Sequence, residues 1–229
     1  MQAGQPAASR LATTDPEVPF PVEAWKDVEL PLHVKVLANP EQRHVLAELR
    51  KLAPMGVEDD LGAGLMPFES LRDQVGMVMA IYRGPKLVAT LRFVPSGRRL
   101  TAAERVRDLV AGDCEILGEG NWEVGRLIVS PEERSPEVLR QCLHLALQTL
   151  VDSHEVQYLY AIATPLMARL WRRVGMHVTA SLPGASGRRF MLVSGHVSGV
   201  AAALEVPLAE ERTALVAPSH EEDSVVIDA

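Results

Sequence analysis

Two hydrophobic periods alternate along the chain. Apolar residues fall at every second position, or run on, in "LHVKVLA" (32–38), "VGMVMAIYRG" (75–84) and "KLVATLRFVPS" (86–96). They do so again at 122–129, in "QYLYAIAT" (157–164), in "MHVTASL" (176–182) and in "RRFMLVSGHV" (188–197). Each run is predicted to be a strand, and the tight Gly84-Pro85 turn pairs the second and third as a hairpin. Between them lie helix signals. Asn39 caps a helix with Pro40 at its first position. Thr101 and Glu104 form a capping box for a helix to about Val110. Ser135-Pro136-Glu137 opens a helix whose Leu139, Cys142, Leu143, Ala146, Leu147, Leu150 and Val151 fall on one stripe. Thr164-Pro165 opens another, to Val174, with Gly175 as its left-handed end. The predicted order is β-α-β-β-α-β-α-β-α-β-β, an α/β (α+β) class with helices on the faces of a mixed sheet.

Outside this core the pattern fades. Residues 1–30 are rich in Ala and Pro and have no period, and are predicted to be a mobile arm. Residues 205–229 hold at most one short helix and then an acidic tail. The predicted domain is 31–204. Residues 53–67, "APMGVEDDLGAGLMP", read as a Gly/Pro/acidic loop.

Composition narrows the function classes. Hydrophobic residues make up 47 % of 229, so a large core can form, and with 4 % aromatics it is built from Leu, Val, Ala and Met. The net charge is −7, of which residues 1–30 carry −3 and 205–229 carry −6, leaving +2 on 31–204. That balance lacks the basic footprint of a nucleic-acid surface. Cys114 and Cys142 have no metal-type spacing, which suits a reducing cytoplasm. The N-terminus has no signal-peptide core, and no apolar run approaches the ~18 residues of a membrane span. No metal-ligand spacing is present, and His144 and His154 are expected to be structural or exposed.

The chemistry concentrates in "NWEVGRLIVSPEERSPEVLRQCLHLALQTL" (121–150), where a strand carrying Glu123 and Arg126 feeds into a helix start. Residues three apart on a regular strand face opposite sides; a bulge at Gly125 would turn both to one side. Such a pair is either a base with its orienting cation or a plain ionic brace at the sheet rim. Arg92, on an otherwise apolar strand, needs a carboxylate partner.

Four stretches, "GVEDDL" (56–61), "ATLRFVPS" (89–96), "WEVGRLIVSPEER" (122–134) and "PLMARLWRRVGMHV" (165–178), resemble the GCN5-related N-acetyltransferase fold. More narrowly they resemble the autoinducer (acyl-homoserine lactone) synthases and N-acyl amino acid synthases, over about 32–197. The resemblance implies a mostly antiparallel central sheet in which strands 122–129 and 157–164 splay apart to admit the pantetheine arm of an acyl donor. It implies donor contacts at Leu127, Ile128, Val129, Arg134, Ser135, Val138 and Leu139, with the phosphate at the N-terminus of helix 135–151. It implies Glu123 and Arg126 as catalytic, and Glu58, Asp59, Asp60, Arg92 and Trp122 on the acceptor side. For the acids and Arg92, an ion pair between loop and sheet is the plainer alternative. Arg43 or Arg50 corresponds to an early family arginine, or else sits on a solvated helix face.

The departures are informative. The family's glycine-rich phosphate loop is replaced by Arg134-Ser135-Pro136-Glu137-Val138-Leu139. Without glycine, and with Pro136 and Glu137, this is a poor cradle for the pyrophosphate of coenzyme A. It tolerates the single phosphodiester of acyl carrier protein better. Trp171 stands where many relatives have a tyrosine that protonates the leaving thiolate, and Gly125 where the family has serine. The expected activity is transfer of a fatty acyl group from acyl carrier protein, rather than acyl-CoA, to an amino acid or small amine, with no permanently bound cofactor. Carrier-protein docking would fall on Arg134, Arg140, Arg172 and Arg173, or these are solvated faces. The alternatives are an acyl-homoserine lactone synthase and a catalytically silent sensor or partner subunit. Met55, Met66, Met77 and Met79 either line an acyl tunnel or are ordinary core.

Overall fold

Seven strands form one sheet in the order β1-β2-β3-β4-β5-β7-β6. They are β1 Leu32–Val36, β2 Met77–Arg83, β3 Lys86–Pro95, β4 Asn121–Val129, β5 Tyr158–Ala163, β6 His177–Pro183 and β7 Arg189–His196. The computed structural model describes residues 30–53, 60–61, 68–106 and 118–208. All neighbouring strands run antiparallel except β4 and β5. The described helices are α1 Pro40–Arg43, α2 Ala47–Lys51, α3 Glu69–Val75, α4 Ala102–Arg105, α5 Pro136–Ser153, α6 Pro165–Arg173 and α7 Val197–Leu204. The fold class is the one expected, a mixed and mostly antiparallel sheet with helices on both faces.

The helix starts follow the sequence signals. Asn39, Thr101, Ser135 and Thr164 each accept a first-turn backbone N–H through the side chain. Gly175 ends α6 at φ +88°, and a Cβ there would lie 2.7 Å from the Gly199 carbonyl oxygen. The glycine therefore serves two ends, the left-handed turn and the close seat of α6 on α7.

Alternation along the strands separates two cores. Leu91, Phe93, Trp122, Val124, Leu159 and Ala161 face α5, α6 and α7. Tyr160, Phe190, Leu192 and Leu182 face α4, while Val78 and Ala80 meet Leu37 and Leu46 beside α1 and α2. α3 and α7 extend the expected order. α3 buries Arg72 and Asp73 and exposes Leu71, the reverse of an apolar stripe. α7 follows β7 without a break, His196 being both the last strand residue and the helix N-cap, so the strand ends one residue before the expected 197.

Candidate active site

The central parallel pair is short. β4 and β5 pair only at Asn121↔Tyr158, Trp122↔Leu159 and Glu123↔Tyr160. Beyond Glu123, β4 remains paired with β3 out to Val129, and beyond Tyr160, β5 remains paired with β7 out to Ala163. Each strand keeps its outer neighbour and loses its inner one, so the sheet opens as a V, with backbone N–H and C=O groups along both inner edges.

A cavity of about 630 Å³ lies against the parted end of β4. Leu127, Ile128 and Val129 of β4 form one wall, and Met167, Leu170 and Val174 form another. Ala53, after α2, lines it as well, so it is bounded from both faces of the sheet. The walls are apolar, while Arg134, Arg140 and Arg173 stand on the lining. Arg134 is anchored by its Nε, which donates to the Val129 carbonyl at 3.0 Å. Arg140 pairs with Glu205 at 2.7 Å.

The start of α5 meets this cavity through Ser135, Pro136 and Leu139. Few of its backbone donors are left over. Pro136 has no N–H, the Val138 N–H is taken by Ser135 Oγ at 3.1 Å, and the Leu139 N–H by the Ser135 carbonyl at 3.0 Å. Among the described residues the Glu137 N–H is the remaining donor of that turn, beside its own carboxylate. Six of the seven expected donor residues line the cavity. Val138 does not, because its side chain is buried in the core beneath the helix.

On the other face, at the root of the V, lies a buried ionic cluster. A bulge produces it: Arg92 pairs with Gly125 and Thr90 with Ile128, so Arg126 and Leu127 both oppose Leu91. Arg126 takes φ +53°, a left-handed conformation rare for a residue with a Cβ. The bulge turns Arg126 toward the side of Glu123. Arg126 Nε then donates to Glu69 Oε1 at 2.6 Å, and Arg72 Nη2 to Glu123 Oε1 at 3.3 Å. The Ala103 N–H at the start of α4 donates to Glu123 Oε2 at 3.1 Å. Arg92 is 1 % exposed and bonds Glu69 at 2.9 Å and Asp73 at 2.7 Å, and Arg50 bonds Asp73 at 2.5 Å. Burial pushes the Glu69 carboxyl up, but the Arg92 and Arg126 guanidiniums outweigh it and hold the group down at about 2. Asp73 is likewise lowered, Arg50 and Arg92 outweighing its burial. Gly125, at the edge of the cluster, has open space where a Cβ would be.

Of the residues expected on the acceptor side, the structure gathers Arg92 with Glu123 and Arg126. Asp60 lies elsewhere: its carboxylate accepts from the Ser186 N–H and hydroxyl, both at 2.6 Å, in the β6–β7 turn. Trp122 faces the α5 side, its ring 4.7 Å from that of His154. Glu58 and Asp59 lie outside the described residues. The carboxylates Arg92 needs come from α3, which no apolar period announces. Arg50 is also part of the cluster, whereas Arg43 holds the Leu37 and Ala38 carbonyls. Trp171 is buried in the core below α6, and His144 holds the Leu204 carbonyl at 2.8 Å. No group of three or more metal-ligating side chains occurs among the described residues, and no described helix is long and apolar enough to cross a membrane.

No protein-family model matches the sequence, and no curated protein matches it. Solved structures do. FeeM, an N-acyl amino acid synthase from uncultured soil microbes, aligns over 80 % of this chain and 98 % of its own, at 13 % identity and a TM-score of 0.57. The AHL synthase LasI aligns over 78 % of this chain and 98 % of its own, at 14 % identity and a TM-score of 0.53. MesI, a CoA-dependent acyl-homoserine lactone synthase, aligns over 78 % of this chain and 97 % of its own, at 15 % identity and a TM-score of 0.50. With the parted β4–β5 pair, these likenesses identify the architecture as the GCN5-related N-acyltransferase fold, near that of the synthases.

Proposed function

We propose that the protein is an N-acyltransferase that moves a fatty acyl group from a thioester to the amine of an amino acid or small amine. The parting of β4 and β5 after Glu123 and Tyr160, with an apolar cavity against the parted end of β4, carries this reading. A pantetheine arm laid in the V meets backbone donors and acceptors that the sheet leaves unmatched. The apolar walls suit an alkyl chain, and the lining arginines suit the phosphate at the arm's far end.

The chemistry forms a C–N bond and breaks a C–S bond. A neutral amine attacks the thioester carbonyl, and charge grows on the carbonyl oxygen, where an inner-edge N–H of β4 stabilises it. An α-amino group has a pKa of about 8, so a useful fraction is neutral near pH 7. Glu123, directly or through a water, takes the proton released as the C–N bond forms. Arg126 sits beside it, with Gly125 leaving room for the acceptor. The thiolate leaves without a dedicated acid, since a thiol pKa of about 8.5 makes it a fair leaving group. Trp171 has no proton to give.

The donor is acyl carrier protein rather than coenzyme A. The first turn of α5 supports this preference: its one remaining N–H, next to Glu137, is too little for a pyrophosphate but adequate for a phosphodiester held by Arg134. A carrier protein, itself acidic, fits the arginines at the cavity. The active domain in this reading is 31–204, working in a reducing cytoplasm.

Incubating the pure protein with C8–C16 acyl carrier proteins, or the matching acyl-CoAs, and pooled amino acids tests the proposal by mass spectrometry. An N-acyl amino acid is the expected product. No product with any donor favours a catalytically silent relative.

A further inference from the structure

Glu123 and Tyr160 face each other across the last pair that β4 and β5 make before separating. Both side chains leave the sheet on the α4 side. Tyr160 is fully buried, and its hydroxyl lies 2.5 Å from Ser96 Oγ. Thr101 is the N-cap of α4 in a reciprocal capping box. Its Oγ1 accepts the Glu104 N–H at 3.2 Å, while Glu104 Oε2 accepts the Thr101 N–H at 3.0 Å. Two residues on, the Ala103 N–H reaches Glu123 Oε2 at 3.1 Å. The Gly97 N–H, next to Ser96, donates to Glu104 Oε1 at 2.7 Å, and the Thr101 hydroxyl donates to Glu104 Oε2 at 2.8 Å, so the contacts run from β5, through Ser96 and the cap of α4, back to the carboxylate on β4.

Four residues of helix have little cohesion of their own, so the place of α4 depends on its tertiary contacts. The buried phenol supplies one of them. Burial, with the charge of Glu123 adding to it, pushes the Tyr160 phenol well above its ordinary range, so the hydroxyl stays protonated throughout the working pH.

We propose that Tyr160 is a positioning residue for Glu123. It fixes Ser96 and, through the neighbouring Gly97 and Glu104, the capped start of α4 whose Ala103 N–H holds one carboxylate oxygen, while Arg72 holds the other. The inference rests on the reading of Glu123 as the base.

Tyr160→Phe keeps the ring that packs with Leu182 and Phe190 and removes only the hydroxyl. Turnover of the N-acyl product is expected to fall about 5- to 10-fold in kcat, with the donor KM unchanged. Thr101→Val should behave alike, whereas Thr101→Ser, which keeps the hydroxyl, retains activity. On a Glu123→Gln background, Tyr160→Phe should cost nothing further. A wild-type kcat in Tyr160→Phe, or an equal fall on both backgrounds, overturns the proposal.

Failure of the underlying reading looks different: Glu123→Gln then turns over like wild type, or no variant turns over. Hydrogen exchange at the Ala103 amide decides in either case. Exchange about 10-fold faster in Tyr160→Phe, with α5 amides unchanged, supports the coupling, and unchanged exchange overturns it.

Discussion

Arg126 holds Glu69 at 2.6 Å from a backbone in the left-handed region, φ +53°. A residue with a Cβ costs on the order of 1–2 kcal/mol there, and glycine avoids that cost. Arg126→Ala and Arg126→Gly both lose the ion pair, but only the first keeps the strain. Denaturant unfolding is expected to find Arg126→Gly the more stable by about 1 kcal/mol, with both variants impaired in turnover. Equal stabilities would show that the bulge relaxes when the guanidinium goes.

Glu69 links two guanidiniums, and its carboxyl is held at about 2 against an ordinary 4.5. Because the folded value is the lower one, its contribution is fully present above about pH 4.5 and lost as pH falls through about 2. The shift corresponds to roughly 3 kcal/mol at neutral pH. Glu69→Gln is therefore expected to destabilise by about 3 kcal/mol at pH 7 and by little near pH 2, in urea titrations at both values. Asp73, lowered in the same sense, steepens the acid loss in the wild type.

Much of this architecture is legible in the sequence because its signals are local. The caps at Asn39, Thr101, Ser135 and Thr164, the left-handed Gly175 and the strand periods each depend on a few adjacent residues. The bulge beside Gly125 is legible too, since Glu123 and Arg126 reach one side only if the strand slips by a residue. What stays hidden is the acidic side of the cluster. α3 turns Arg72 and Asp73 inward and Leu71 outward, so hydrophobic periodicity assigns it no element. Arg92 announces its need for carboxylates without saying which. Sequence reasoning looks to residues 58–60, while Glu69 and Asp73 supply them. The start of α7 is hidden for another reason: β7 passes into it with no Gly or Pro between.

Gly125 lies at the edge of the cluster with open space at its Cβ position. Gly125→Ala is expected to leave stability within about 0.5 kcal/mol. If the reacting amine passes this point, kcat/KM falls tenfold or more. Thermal unfolding alongside steady-state rates separates the two effects; full activity would move the acceptor path away from Gly125.

The donor preference can be inverted if the first turn of α5 sets it. Pro136→Ala returns a backbone N–H, and Glu137→Ala removes a negative charge beside the phosphate position. The double variant is expected to gain several-fold in kcat/KM for acyl-CoA relative to acyl carrier protein. An unchanged ratio would place donor choice elsewhere, with Arg134 and Arg173 the next residues to vary.

A crystal structure with a non-hydrolysable thioether analogue of acyl-phosphopantetheine tests the central claim most directly. The account predicts the arm between β4 beyond Glu123 and β5 beyond Tyr160, its phosphate beside Arg134 and its sulfur near the root of the V. An analogue found outside that opening, or an opening that stays empty at saturating analogue, would contradict it.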